Sequence, residues 1–136
     1  MKESSLQLVG KPKINSVSYE TNKKFKFSNQ ELELKIDHHI SVSKGSGEHS
    51  QEAIVVLNIG FFTIEEFETV PFRISMEIEG RFKWTDELEK DSANLEKVLT
   101  QNAPAILYTY SRPFITLITF EAEMPPLVIP LINFQD

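Results

Sequence analysis

Three histidines (His38, His39 and His49) and an acidic triplet (Glu65, Glu66 and Glu68) are the side chains whose types and spacing could do chemistry. His38 and His39 are neighbours in an alternating run. Adjacent strand residues point to opposite faces, so the two cannot share one ion. His38 falls on the apolar side of that alternation and reads as a satisfied or partly exposed core histidine, while His49 sits apart in a Gly/Ser turn. The chain has no cysteine and no pair of histidines at the four-residue helical spacing, which argues against zinc modules. The acidic triplet would need a partner carboxylate across a cleft to hydrolyse a glycoside, and a charged loop is ordinarily just solvated. No serine stands in a nucleophile-elbow frame, and the five glycines form no phosphate-cradling loop. The expectation is a protein that is not an enzyme and needs no metal or cofactor.

The totals narrow the class further. At 136 residues, 40% hydrophobic and 25% charged, the chain suits one soluble globular domain, residues 1–136. Its net charge of −6 leaves no basic stripe to displace counterions from a nucleic acid. The densest basic cluster, Lys23, Lys24 and Lys26, reads as a solvated loop. Residues 1–10 lack the apolar core of a signal peptide, and no run reaches the roughly 18 residues of a membrane span. A cytoplasmic protein with no membrane insertion is expected.

The elements follow from hydrophobic period. Residues 6–19 hold one or two short strands, with Val17 and Tyr19 alternating against Ser16, Ser18 and Glu20 as at a sheet edge. Residues 21–30 are a polar connection that Phe25 and Phe27 anchor to the body. Leu32, Leu34, Ile36, His38, Ile40 and Val42 then share one face of a half-buried strand. Residues 44–48 supply hairpin turn chemistry. Residues 53–62 are apolar on both faces, as for a strand covered on both sides or contacted by another subunit. Strict alternation returns over residues 72–84, placing Phe72, Ile74, Met76, Ile78, Phe82 and Trp84 together, with Gly80 marking a bulge or a close backbone approach. The period turns helical over residues 86–101, with Leu88, Leu95, Val98 and Leu99 on one stripe and Asp91 and Ser92 as caps. Asn102 and Pro104 are expected to break this helix and start a second, residues 103–119, in which Pro113 implies a kink or an early stop. Pro125, Pro126 and Pro130 make the last stretch extended, since proline fixes φ and removes a donor. The fold class is α+β: an antiparallel sheet of about four strands, a long kinked helix on one face and an extended Pro-rich C-terminal loop.

Apolar side chains are what remains to explain. Phe72, Tyr108, Tyr110, Phe114, Met124 and Leu127 exceed what a sheet with one helical layer needs. They would serve the core and an oligomer interface, or form a groove for apolar segments of other chains, where aromatics and methionine adapt well.

Residues 102–112 and 126–134 carry a family pattern. The run Ala105-Ile106-Leu107-Tyr108-Thr109-Tyr110-Ser111-Arg112, followed by Pro130-Leu131-Ile132-Asn133-Phe134, resembles the helix core and loop end of the SecB export chaperones. Residues 16–22, 34–37, 53–59 and 72–82 fit that family's strands in order. The resemblance implies an ATP-independent holdase for unfolded polypeptides, a homotetramer built as a dimer of dimers, acting in protein export. It implies client contacts at Leu34, Ile36, Phe72, Met124, Leu127 and Ile129. Ile74, Met76, Ile78 and Tyr110 would serve assembly. Glu20 would touch the translocase motor SecA, with two further acidic positions of that contact falling on Ser16 and Ser75. Thr109 stands where the family has proline, and Pro113 where it has glutamate. The family's second helix and zinc-binding tail would follow Phe134; the sequence ends at Asp136, so a chain lacking both is expected, with SecA docking weakened. A chaperone dedicated to one client, such as an antitoxin, and an oligomeric domain with a small-ligand pocket are the alternatives.

Overall fold

The computed structural model describes residues 5–27, 34–124, 129 and 132–134. Expectations placed on Leu32, Pro125, Pro126, Leu127, Pro130 and Leu131 lie outside the described residues. Four antiparallel strands form one sheet: β1 (Leu6–Thr21), β2 (Ile36–Lys44), β3 (Glu52–Phe61) and β4 (Phe72–Trp84), in spatial order β1-β4-β3-β2. The last three make the meander that their short connections dictate, and β1 closes against β4 in a Greek-key arrangement. β1 is an edge strand, as its polar alternation implies. It is one strand of 16 residues, not two short ones. Irregularities between Val9 and Lys13 and between Ile14 and Ser16 bend it without ending it.

Period-two alternation sorts the side chains into two faces. Val55, Leu57, Ile59 and Phe61 of β3, with Phe72, Ile74, Met76, Ile78, Phe82 and Trp84 of β4, are buried on the inner face. The outer face is polar, with rows such as Ser16–Glu77–Asn58–His39 and Ser18–Ser75–Gly60–Asp37 running across the four strands. Ile54 and Val56 lie half-buried on that outer face, so within the protomer β3 is covered on one side only. Phe25 and Phe27 meet edge to face at 5.1 Å, but Phe27 is half exposed.

Helices cover the inner face. α1 (Asp86–Glu89) starts at Thr85, and α2 (Ser92–Lys97) starts at Asp91, whose carboxylate accepts the Asn94 N–H at 3.3 Å. Ser92 is the first helical residue and caps nothing. The expected break at Asn102 is absent. Val98–Asn102 forms a π-helical turn that runs straight into α3 (Ala103–Glu121). Pro104 explains the turn: its missing N–H and its ring would disrupt a regular α-helix at the Thr100 carbonyl, and widening the turn relieves both. Nor does Pro113 stop α3, which continues to Glu121 and ends with Glu123 at φ 60°.

Gly80 is a close-approach glycine. A Cβ there would lie 2.8 Å from Leu107 Cδ2 and 3.0 Å from Leu8 Cδ1. The missing side chain lets α3 settle onto the sheet.

Candidate functional site

α3 is apolar on two sides, and the two sides meet different surroundings. Leu107, Tyr108, Ser111, Ile115 and Thr119 face the sheet and are buried. The two hydroxyls bond back to their own helix, Ser111 Oγ to the Tyr108 carbonyl at 2.7 Å and Thr119 Oγ1 to the Ile115 carbonyl at 2.9 Å. Tyr110, Phe114, Leu117 and Phe120 recur at spacings of three and four on the far side and are exposed, Phe120 to 73%. Beside this stripe lies a groove of about 740 Å³, lined by Thr109, Arg112, Pro113, Thr116, Leu117 and Phe120 on the helix and by Ile129 opposite.

Arg112 connects the groove to the C-terminal segment. Its Nη2 donates to the Ile129 carbonyl at 2.8 Å, and Ile129 is only 5% exposed. Further along, the Phe134 ring meets His38 of β2 edge to face at 4.9 Å and Tyr108 at 6.2 Å. Burial raises the Tyr108 phenol above its ordinary pKa of 10.0, while the Arg112 guanidinium opposes that rise. The chain thus folds its own residues 129 and 132–134, which are neither helix nor strand, against α3 and the free edge of the sheet.

The residues expected to bind a client are not all equally placed. Leu34, Ile36 and Met124 are partly buried against the core. Ile129 forms a groove wall. Phe72 lies inside, 5.9 Å from the Tyr19 ring and 5.2 Å from Phe62. The residues expected at an oligomer interface divide in the same way: Ile74, Met76 and Ile78 are in the protomer's core, and only Tyr110 is exposed. Glu20, Ser16 and Ser75 come together on the outer face of the sheet, where their partners across the ladder are Arg73, Glu77 and Ser18. Sequence reasoning did not single out Leu117 or Phe120, although their spacing from Phe114 carries the signal. The carbonyl contact of Arg112 had no sequence signal.

The residues first considered for catalysis are scattered. His38 pairs with Ile59 on the inner face and His39 with Asn58 on the outer. His49 instead lies 2.5 Å from Glu52 in the hairpin. The acidic triplet belongs to the loop between β3 and β4, pinned by Arg73, which donates to the Phe62 and Glu65 carbonyls and lies over the Phe67 ring. Among the described residues no group of three or more His, Asp or Glu could hold a metal ion, and no helix is long and apolar enough to cross a membrane.

Comparisons agree with this architecture. An uncharacterised protein of Methanocaldococcus jannaschii, MJ0357, is 28% identical over 102 residues, covering 75% of this chain. The chain spans 62% of that relative's length. Among solved structures, the Mycobacterium tuberculosis SecB-like chaperone Rv1957, in complex with a ChAD peptide from the HigA1 antitoxin, superimposes with a TM-score of 0.64 at 13% identity, over 95% of this chain and 91% of the other. The family model described as preprotein translocase subunit SecB matches residues 5–136. On that match, the chain belongs to the SecB family.

Proposed function

We propose that the protein is an ATP-independent holdase that captures apolar segments of non-native polypeptides. The observation that carries this is the open groove beside α3. Its apolar walls, Pro113, Leu117, Phe120 and Ile129, stand next to an exposed aromatic stripe. Capture would come from removing client apolar area from water, worth roughly 25 cal/mol per Å² before ordering costs. Leu34, Ile36, Met124, Leu127 and Ile129 are the proposed client contacts, and Phe72 would support them from within the core. Tyr110 and Phe114 are the proposed face toward a second copy in a tetramer assembled as a dimer of dimers. Ile74, Met76 and Ile78 would influence assembly only through the seating of α3, because a side chain about 1–2% exposed offers no area to a partner.

The setting proposed is the cytoplasm, in protein export, with SecA touching Glu20 on the outer face of the sheet. A chaperone dedicated to one client is the second reading. The antitoxin peptide bound by the structurally similar mycobacterial protein favours it.

Dilution of unrelated denatured proteins into buffer, followed by light scattering, separates these. A general holdase suppresses aggregation of several such proteins near one oligomer per client, and Leu34→Asp weakens suppression without loss of assembly. No suppression at several-fold excess removes the general holdase and leaves the dedicated one, which partner capture from the native cell would then identify.

A further inference from the structure

The C-terminal segment is held by interactions that another chain could replace in kind. Arg112 takes a backbone carbonyl from Ile129, and every peptide segment offers one whatever its side chains. Phe134 takes an aromatic seat between His38 and Tyr108. Residues 129 and 132–134 belong to neither helix nor strand, so these anchors are not reinforced by a ladder. One wall of the seat, His38, is exposed and lies on β2, an edge strand that pairs with β3 alone in the sheet, while Phe134 itself is 7% exposed. Arg112 also lines the groove beside α3, so one guanidinium borders both places.

We propose that Ile129 and Phe134 are an internal stand-in for client, and that an extended peptide segment bearing an aromatic residue exchanges with them at this seat. This rests on the chaperone function proposed above and adds a specificity to it. The two anchors are five residues apart, a span of about 16 Å in an extended chain. The preferred client segment therefore carries an apolar residue followed five positions later by an aromatic one. Arg112 reads its backbone at the first position, and the His38–Tyr108 seat reads the ring at the second. The carbonyl bond to Arg112 and the ring contacts with His38 and Tyr108 are remade with the client, so affinity depends on how well the chain's own segment competes.

The test uses the full chain and a fluorescein-labelled peptide with the sequence of residues 127–136, read by fluorescence anisotropy. Phe134→Ala in the protein should bind this peptide at least tenfold more tightly than the unaltered chain. The same peptide with alanine at the position of Phe134 should lose that advantage. Because the chain has no cysteine, a second variant carrying His39→Cys and Asn133→Cys, exposed neighbours of His38 and Phe134, can be bridged by a thiol-cleavable bismaleimide with the seat and its ring left intact. Peptide should bind at least tenfold more weakly to the bridged form than to the cleaved one, a difference that a merely destabilised tail would not produce. Equal affinity before and after cleavage, with aggregation suppression intact, overturns the exchange and leaves the chaperone function standing. Absence of both peptide binding and suppression in every form removes both.

Discussion

The two sides of α3 are both apolar but meet different surroundings. The side facing the sheet includes two hydroxyl residues, Ser111 and Thr119, each satisfied by its own helix. The side facing solvent carries Tyr110, Phe114, Leu117 and Phe120. An amphipathic helix normally buries its large apolar residues and exposes its polar ones. Here the inner side buries Leu107, Tyr108 and Ile115, and the helix lies close because Leu107 meets the bare backbone of Gly80. The outer side presents these four large apolar side chains to solvent among the described residues. Contiguous exposed apolar patches larger than those of ordinary monomers mark protein, membrane or ligand contact sites as a class. Stability therefore depends on the inner side, and the proposed function on the outer.

That contrast is open to direct attack, first from the side where the largest loss of stability is expected. Leu107→Ala removes a side chain with no exposed surface and should cost about 3 kcal/mol, seen as a fall in the urea midpoint. A change below about 1 kcal/mol would mean that α3 is not seated as described. Gly80→Ala acts from the other side of the same contact. Its new Cβ would push on Leu107, Leu8 and Phe82, and because all three neighbours are the ends of side chains the expected cost is smaller, about 1–2 kcal/mol.

Tyr108 tests the inner side by pH. Its folded-state pKa is raised by burial above the ordinary 10.0, so the folded chain holds the phenolic proton more firmly than the unfolded one. The resulting stability is fully present below pH 10.0 and is lost as pH rises from there through the folded value. Tyr108→Phe should therefore flatten the fall in urea midpoint above that pH. Identical alkaline profiles for the two proteins would show that the phenol titrates as freely folded as unfolded.

How much of this was legible in the sequence depended on period and on distance along the chain. Alternation in residues 72–84 fixed the buried face of β4 residue by residue, because one side of a sheet must be apolar. The helix boundary at Asn102 misled, since Pro104 inside a helical run reads locally as a break. Tertiary packing against the sheet kept the helix whole through a π turn instead. Ile74, Met76 and Ile78 were rightly grouped as apolar, but period cannot say whether a face meets the same chain or another. The seat of Phe134 joins residues 38, 108 and 134, and no local pattern links positions so far apart. Arg112 was placed by the resemblance, and its bond to the Ile129 carbonyl joins positions 17 residues apart that no local pattern links.

The smallest effect on stability is expected where the proposed function is concentrated. Substituting serine at Leu117 and Phe120 together should shift folding stability by no more than about 0.5 kcal/mol, since both are already largely in water. Yet aggregation suppression should fall severalfold, because both residues line the groove beside α3. Serine at Tyr110 and Phe114 should leave the protomer equally folded but reduce the particle size seen by light scattering, if that end of the stripe meets a second copy. The two pairs lie on one helix, one or two turns apart, so a general weakening of α3 would affect both readouts together. Loss of suppression without loss of size in the first pair, and loss of size in the second, would divide the outer side into a client half and an assembly half. If both pairs leave suppression and size unchanged, the outer stripe serves neither role and the apolar excess of α3 loses its functional account.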